Sequence, residues 1–557
     1  MSINRFKGHL RVYVSLLLVL LFPLHGYGQN NAAGTNPANL ASPPRPADSQ
    51  QAAASALKEL EAMKQRIEAL EAEIRRLKGQ ETPQTAADAD PPPVVPGAAQ
   101  SFVAGAGPAQ AQQAAASAPA AKAEPFAFAD FTWLNGTPRT KDVPMDTKFF
   151  TPEIRVDADY IYDFAHPKDD TIGGSSEVFR TNEVQLTQLG VGGDFHYDNV
   201  RARLMTQFGM YSVTTPRNDA SPARGQWDLD GAYRYISEGY GGYHFNVLHG
   251  INVDAGIFMS YVGLFSYYNF DNWAYQPSYV SSNTPWFFNG VRVQIYPTEH
   301  LKIEPWFVNG WQSYGRFNNR PGIGAQILWR PNGWLSVLGN QYAFGEDTLG
   351  IQHRVRYHTD DSIEIKYYDR PERMLDKMAF SLTGDMGCEH GGGVSCAGNS
   401  AKGPKQSFLG YMFYNRFWFD HDRFGVTLGG GAINNPGRYL VLLPPINGAT
   451  AITGTPYFPE SPGLPYKAWD VSSTFDYMPK QYITFRWELN YRAANVPYFS
   501  GPGGITPPGG NNGSPASFVC LDGTVAPAGG CSAAVGTWSP DLRKNETRMN
   551  FAILVKF

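Results

Sequence analysis

The chain ends on RMNFAILVKF, residues Arg548–Phe557, and this stretch decides the fold class. Counting back by twos from Phe557, every residue is apolar, whereas Lys556, Asn550 and Arg548 fall on the interleaved positions. Successive side chains of a β-strand point to opposite faces of the sheet, so this alternation predicts a strand with one wholly apolar face. Chain ends of soluble domains usually fray. A strand that runs to the last residue therefore needs both a neighbouring strand and an apolar surface.

The composition excludes several classes of protein. Only 17% of the 557 residues are charged, 14% are aromatic, and the net charge of −4 is small. Nucleic-acid binding needs concentrated Lys and Arg, which this chain lacks, so we expect no nucleic-acid partner. After the N-terminus, no stretch approaches the roughly 18 apolar residues that a membrane-spanning helix requires.

The alternation of the last strand recurs throughout residues 126–557. In EIRVDADYIYDF, Glu153–Phe164, one face is apolar and charges fill the other. About sixteen such strands can be counted, joined alternately by short turns and by long loops. Strands of about ten residues in this arrangement are typical of a transmembrane barrel. A sheet in lipid must close, because an open edge leaves backbone groups unpaired. We therefore predict an all-β fold: a closed antiparallel transmembrane β-barrel, preceded by a short α-helical coiled coil.

The N-terminal quarter has a different character. Basic residues, then the apolar stretch VYVSLLLVLLFPL, then small residues before Gln29 predict a secretory signal peptide at residues 1–28. An uncleaved anchor helix is the alternative, which Pro23 disfavours. Polar residues 29–55 are predicted to be disordered. The Ala- and Pro-rich residues 80–125 cannot form a core and are predicted to be a flexible linker.

Residues 56–79 carry a heptad pattern. The a and d positions are Leu60, Met63, Ile67, Leu70, Ile74 and Leu77. Residues at g face opposite charges at e five residues later, as in Glu59 to Lys64. Such pairs favour parallel, in-register copies, so we predict a homo-oligomer held by a coiled-coil stalk. The stretch RIEALE resembles a motif of short trimeric coiled coils, which favours a trimer, but a dimer and a lone amphipathic helix stay open.

The four cysteines fall into two close pairs, Cys388 with Cys396 and Cys520 with Cys531. Neither pair has metal-ligand spacing. An even number of cysteines in an exported chain predicts disulfides that close short Gly-rich loops, with free thiols as the alternative.

Two groups of residues resemble known proteins. Phe551, Ile553, Val555 and Phe557 resemble the C-terminal signal by which bacterial outer-membrane proteins are recognised for insertion, which implies the barrel assembly machinery and outer-membrane lipid as partners. DFTWLNG (Asp130–Gly136), TQFGMYS, YGGYHF, GINVDAGIFMSYVGLFSYYNFDNW and SSNTPWFFNG resemble the OmpL-like β-barrel porin family. The resemblance implies a porin-like barrel in the outer membrane, with the stalk in the periplasm.

A sixteen-stranded barrel is wide enough to hold water, so charged faces turned inward would line a pore for small polar solutes. The candidate pore-lining residues are Glu153, Arg155, Asp157, Asp159, Arg201, Arg203, Arg292, Lys302, Glu304, Arg330, Glu364, Lys366, Arg486, Glu488 and Arg492. Each opposite-charge pair among them has an alternative role as a salt bridge that braces the wall. For the whole chain, the alternative is a non-conducting barrel whose long loops bind partners.

The aromatic loop Tyr261–Pro285 has two interpretations. It could fold into the lumen, although a packed surface loop is the favoured interpretation.

HTDD, His358–Asp361, has the residue types of a metal or acid–base cluster but is interpreted as a solvated loop at a strand entrance. The sequence holds no persuasive catalytic constellation and indicates no cofactor, so we do not expect an enzyme.

Overall fold

The computed structural model describes residue 64 and then residues 124–136, 143–172, 178–216, 219–265, 267–348, 350–398, 401, 405–435, 466–504 and 541–557. The predicted signal peptide, the disordered segment, the six heptad residues of the stalk and nearly all of the linker lie outside these described residues. So do Cys520 and Cys531. Lys64, within the predicted stalk, is helical and exposed.

The described chain is built almost entirely of antiparallel strands. They are β1 Phe150–Asp163, β2 Val184–Tyr197, β3 Val200–Thr206, β4 Ile236–Phe245, β5 Ile251–Met259, β6 Phe287–Thr298, β7 Leu301–Val308, β8 Gly322–Asn332, β9 Leu335–Ala343, β10 Val355–Asp369, β11 Leu375–His390, β12 Ser407–Phe419, β13 Phe424–Asn435, β14 Tyr466–Lys480, β15 Ile483–Ala494, β16 Phe499–Ser500, β17 Leu542–Arg543 and β18 Asn545–Lys556.

Sixteen of the described strands form one closed barrel, and the prediction of a closed antiparallel barrel is confirmed. Each of β1–β14 pairs with the next strand in the chain, and β18 closes the ring between β15 and β1. Val156 lies opposite Val555, and Tyr160 lies opposite Phe551. The last strand therefore runs to the chain end because its partner is the first strand. The two-residue strands β16 and β17 pair with each other as a separate sheet.

The two faces of the barrel wall differ as the alternation predicts. In β18 the side chains of Ile553 and Phe551 are 47% and 41% exposed on the outside, whereas Leu554 and Asn550 are buried inside. An exposed apolar band of this kind would be unstable in water and is suited to lipid. No helix among the described residues is long and apolar enough to cross a membrane.

The two ends of the barrel also differ. At one end, which we call the short-turn end, the connections are tight; Asp198 and Asn199 both have positive φ between β2 and β3, as a two-residue hairpin turn requires. At the other end, the long-loop end, the connections carry the short helices. The α-helices are Tyr211–Thr214, Leu229–Tyr233 and Tyr279–Ser282, and the 3-10 helices in these loops are Ser221–Ala223 and Asn269–Asp271. A further 3-10 helix, Thr132–Leu134, precedes the barrel.

One of the two predicted disulfides lies within the described residues. Cys388, near the end of β11, is bonded to Cys396 in the connection between β11 and β12. The bond closes a small loop at the long-loop end.

Candidate functional site

The inner face of the barrel is the candidate site, because it gathers the predicted pore-lining side chains. All fifteen are carried on strands, and fourteen are buried or nearly so on the inner side, with Arg201 somewhat more open. Their positions share one face because the period of a strand is two. Whether they line a water-filled pore stays a prediction.

One group of inner charges centres on Arg203 of β3. Its guanidinium contacts Asp194 at 2.6 Å, Glu153 at 2.9 Å and Glu238 at 3.0 Å. Glu153 also pairs with Arg155 and lies 3.4 Å from the Lys556 amine. The network thus joins β18 to β4 across neighbouring strands. These ion pairs are the contacts that the alternative role, salt bridges that brace the wall, requires; whether the same residues also line a pore stays a prediction.

Similar pairs continue around the barrel. Arg292 and Arg201 both contact Asp254, at 3.0 and 3.3 Å, and Lys302 contacts Glu304 at 2.7 Å. On the opposite wall, Asp476 accepts from Arg416 and Arg486, each at 2.7 Å. A buried charge is costly unless it is paired, so this complementarity is what allows so charged an inner face.

The loop between β5 and β6 fills part of the lumen. Every described residue from 260 to 286, which we call the inward loop, is buried. The favoured interpretation as a packed surface loop is therefore wrong. The loop is stable in the lumen because its tyrosines, tryptophans and amides pack against aromatic rings and hydrogen-bond to charged groups of the inner face.

Glu488 of β15 holds the inward loop by its backbone. Its carboxylate accepts hydrogen bonds from the backbone N–H groups of Tyr275, at 2.5 Å, and Gln276, at 2.9 Å. The Tyr275 hydroxyl donates to Asp157 of β1 at 2.9 Å. Burial raises the pKa of the Tyr275 hydroxyl well above its usual value, so the hydroxyl keeps the proton that it donates.

Other contacts tie the inward loop to more of the wall. Ser278 donates to Asp470 of β14 at 2.7 Å, and the Arg155 guanidinium contacts Asp271 at 3.0 Å. Tyr261, at the start of the loop, donates to the backbone of Gln341 on β9 at 2.9 Å. The loop therefore crosses the lumen instead of following one side.

A second segment enters the lumen from the short-turn end. It consists of residues 124–136, which we call the N-terminal segment. Phe126 N donates to Glu299 O in the turn between β6 and β7, at 2.8 Å. Further along, the Trp133 indole donates to Gly333 O, between β8 and β9, at 3.1 Å. Exposure falls from 36% at Phe128 to 1% at Trp133, so the segment passes from the rim to the interior.

The two segments meet inside the barrel. Gly136 N donates to the backbone oxygen of Asp271 at 2.9 Å, and the Asn135 amide donates to the Asp271 carboxylate at 3.3 Å. Arg416 of β12 donates to Gly136 O at 2.7 Å. A Cβ atom on Gly136 would lie 1.8 Å from the backbone oxygen of Asn272, so only glycine allows this approach.

HTDD is not a solvated strand entrance, because His358–Asp361 lie within β10 and both His358 and Asp360 are buried on the inner face. The His358 imidazole lies 2.8 Å from Asp385 of β11. Among the described residues, no group of three or more His, Cys, Asp or Glu side chains could hold a metal ion.

Comparison with known proteins supports the assignment that this geometry suggests. The family model of the OmpL-like beta-barrel porin-2 proteins matches residues 154–522, more than half of the chain. The chain belongs to this porin family. The resemblance seen in the sequence is thus confirmed. A family of porins places the chain in the bacterial outer membrane and indicates that it is not an enzyme.

This porin-family chain is also similar to several solved structures, at low sequence identity. OprB of Pseudomonas putida is 12% identical, with a TM-score of 0.42, and the match covers 74% of this chain and 94% of that one. DcaP of Acinetobacter baumannii is 12% identical, with a TM-score of 0.39 and coverages of 74% and 97%. An anion-selective porin from Comamonas acidovorans is 11% identical, with a TM-score of 0.40 and coverages of 73% and 99%. No curated protein matches the chain.

Sequence reasoning missed several inner residues of this porin-family chain. Arg416, Asp254 and Asp194 were not among the predicted pore-lining residues, although each makes an inner ion pair. The period-two rule could have found Arg416, which shares a face with Tyr414 and Trp418. Nothing in the sequence signalled that the N-terminal segment lies inside the barrel.

Proposed function

We propose that the chain forms an outer-membrane channel for the passive diffusion of small polar solutes. The observation that carries this proposal is the closed sixteen-stranded wall, apolar outside and charged inside. A barrel of this strand number has a lumen wider than its own wall side chains can fill, so two further segments fit within it.

The solute route in this proposal follows the wall of β2–β4. There the side chains of Arg201, Asp194 and Glu238 keep 13–14% of their surface exposed, whereas those of Arg416, Asp476 and Arg486 on β12, β14 and β15 are 0% exposed. The route presents both signs of charge close together. We therefore expect polar solutes to be oriented by the local field, with weak selection between cations and anions.

The test is electrical. Purified protein in a planar bilayer should give discrete, stable openings, and the reversal potential in a salt gradient should lie close to zero because both charge signs line the route. Strong selectivity for one sign would contradict the proposed route, and silence of correctly folded protein would contradict the channel.

A second candidate function has one observation in its favour. Most of the inner charges are buried, and several of them contact the inward loop or the N-terminal segment, as expected of a barrel that serves only as an anchor for its long loops. Such a protein would bind partners at the long-loop end and conduct nothing, so the same recording separates the two functions.

Assembly is part of the proposal. We place the predicted stalk, residues 56–79, in the periplasm and expect it to join copies of the chain, as a trimer in preference to a dimer. Deleting residues 56–80 should weaken the oligomer seen by cross-linking but leave the barrel folded. Unchanged cross-linking would show that the stalk does not join the copies.

We also expect the barrel assembly machinery to recognise the last strand, so that deleting Phe557 lowers the amount of protein in the outer-membrane fraction. An unchanged amount would show that Phe557 is not needed for this recognition.

A further inference from the structure

We propose that the N-terminal segment, residues 124–136, is a releasable gate in the short-turn mouth of the lumen. While the segment is docked, solutes have only the route along β2–β4 and the conductance is low; when the segment leaves, the lumen widens and the conductance rises. This inference rests on the proposed function, because a gate needs a barrel that conducts.

The first support is the course of the segment. Its contacts begin at the rim, where the ring of Phe128 lies 4.2 Å from that of His300. They continue inward to the guanidinium of Arg330, 4.8 Å from the ring of Phe131, and then to Trp133, which is almost fully buried. The segment thus occupies the mouth along its length instead of lying across the outside.

The second support is what the segment meets at its inner end. Gly136 and Asn135 bond to Asp271 of the inward loop, and Asp271 in turn pairs with Arg155 on β1. On the other side, Arg416 of β12 holds Gly136 O. Through the two segments these contacts connect β1 with β12, which are separated in the ring by β18, β15, β14 and β13, so the docked state leaves little room for a solute on that side of the lumen.

The third support concerns release. None of the described residues 124–136 belongs to a strand, so the segment takes no part in the pairing of the wall. Its outer part, including Ala127 and Asp130, is exposed. Its departure would therefore leave the hydrogen-bond ladder of the barrel intact. In the sequence it directly continues the predicted linker.

Gly136 offers a sharp test of docking, because a side chain there would collide with the backbone of Asn272. We would compare the single-channel conductance of the full-length wild type, Gly136→Val, and a form that lacks residues 124–136. Gly384→Val is the matched control, since a Cβ at Gly384 meets nothing within 4 Å. We expect a several-fold higher mean conductance for Gly136→Val and for the deletion, and an unchanged conductance for Gly384→Val.

A second readout places the segment without using conduction. Asn135→Cys combined with Asp271→Cys should form a disulfide in otherwise wild-type protein, and introducing Gly136→Val should abolish it. Failure of this bond to form would overturn the docked position. Equal conductance of wild type, Gly136→Val and the deletion would overturn the gate alone. Silence of every folded form, the deletion included, would contradict the proposed function and the gate with it.

Discussion

Arg416, on the barrel wall, donates a hydrogen bond to the backbone oxygen of Gly136 in the N-terminal segment at 2.7 Å. The two residues are 280 positions apart in the chain. The same guanidinium donates to Thr427 at 2.9 Å and pairs with Asp476 at 2.7 Å. One buried side chain therefore couples the wall to the segment that occupies the lumen.

Replacing Arg416 with Met should destabilise the folded barrel, because it removes a fully buried charge partner of Asp476. Loss of one partner of a buried pair costs about 3–5 kcal/mol, and we expect the lower end of that range because Arg486 still pairs with Asp476. Urea unfolding in lipid vesicles measures the change. Arg423→Gln, in an exposed turn, is the control and should have the stability of the wild type. Equal stability of the two variants would show that Arg416 does not have this role.

The sequence predicted the wall far better than the contents of the lumen. Alternation depends only on neighbouring residues and on the surroundings of each face, so the sixteen strands and the closure by Phe551 and Ile553 could be predicted from the pattern. The burial of the inward loop could not be predicted in this way, because it depends on contacts such as that of Tyr275 with Glu488, more than 200 residues apart. The position of the N-terminal segment depends on an equally distant contact, between Gly136 and Arg416.

The inward loop should loosen when Glu488 is replaced with Ala. The backbone N–H groups of Tyr275 and Gln276 would then be buried without an acceptor, at about 1–3 kcal/mol for each group. We expect faster amide hydrogen exchange in peptides from residues 267–285, measured by mass spectrometry. Glu372→Ala, in an exposed turn, is the control. Exchange as slow in Glu488→Ala as in Glu372→Ala would mean that the carboxylate does not hold the loop.

The lipid-facing side of the last strand is tested by Ile553→Arg. A cation on the lipid face near the midplane should destabilise the barrel by about 2–4 kcal/mol. Ile553→Leu keeps the side chain apolar and should have little effect. Loss of the heat-resistant folded form on gel electrophoresis, for the Arg variant only, is the expected result. If both variants fold equally well, this face of β18 does not contact lipid.

The orientation of the barrel predicts which end reaches the cell surface. With the short turns in the periplasm, Gln352→Cys in an exposed long-loop position should react with a membrane-impermeant thiol reagent on intact cells. Asn199→Cys, in the hairpin turn between β2 and β3, should react only after the outer membrane is permeabilised. The unsubstituted chain gives the background from the native cysteines. If only Asn199→Cys is labelled on intact cells, the short-turn end faces the cell surface and the predicted orientation is wrong.

Single-channel recording tests the central claim most directly, with wild-type protein and the form that lacks residues 124–136 in the same planar bilayer. We predict discrete openings for both, larger on average in the deletion, because the charged inner face then borders more open water. A sustained absence of openings in both forms, with each shown to be folded by its heat-resistant band, would contradict the claim that this barrel is a diffusion channel.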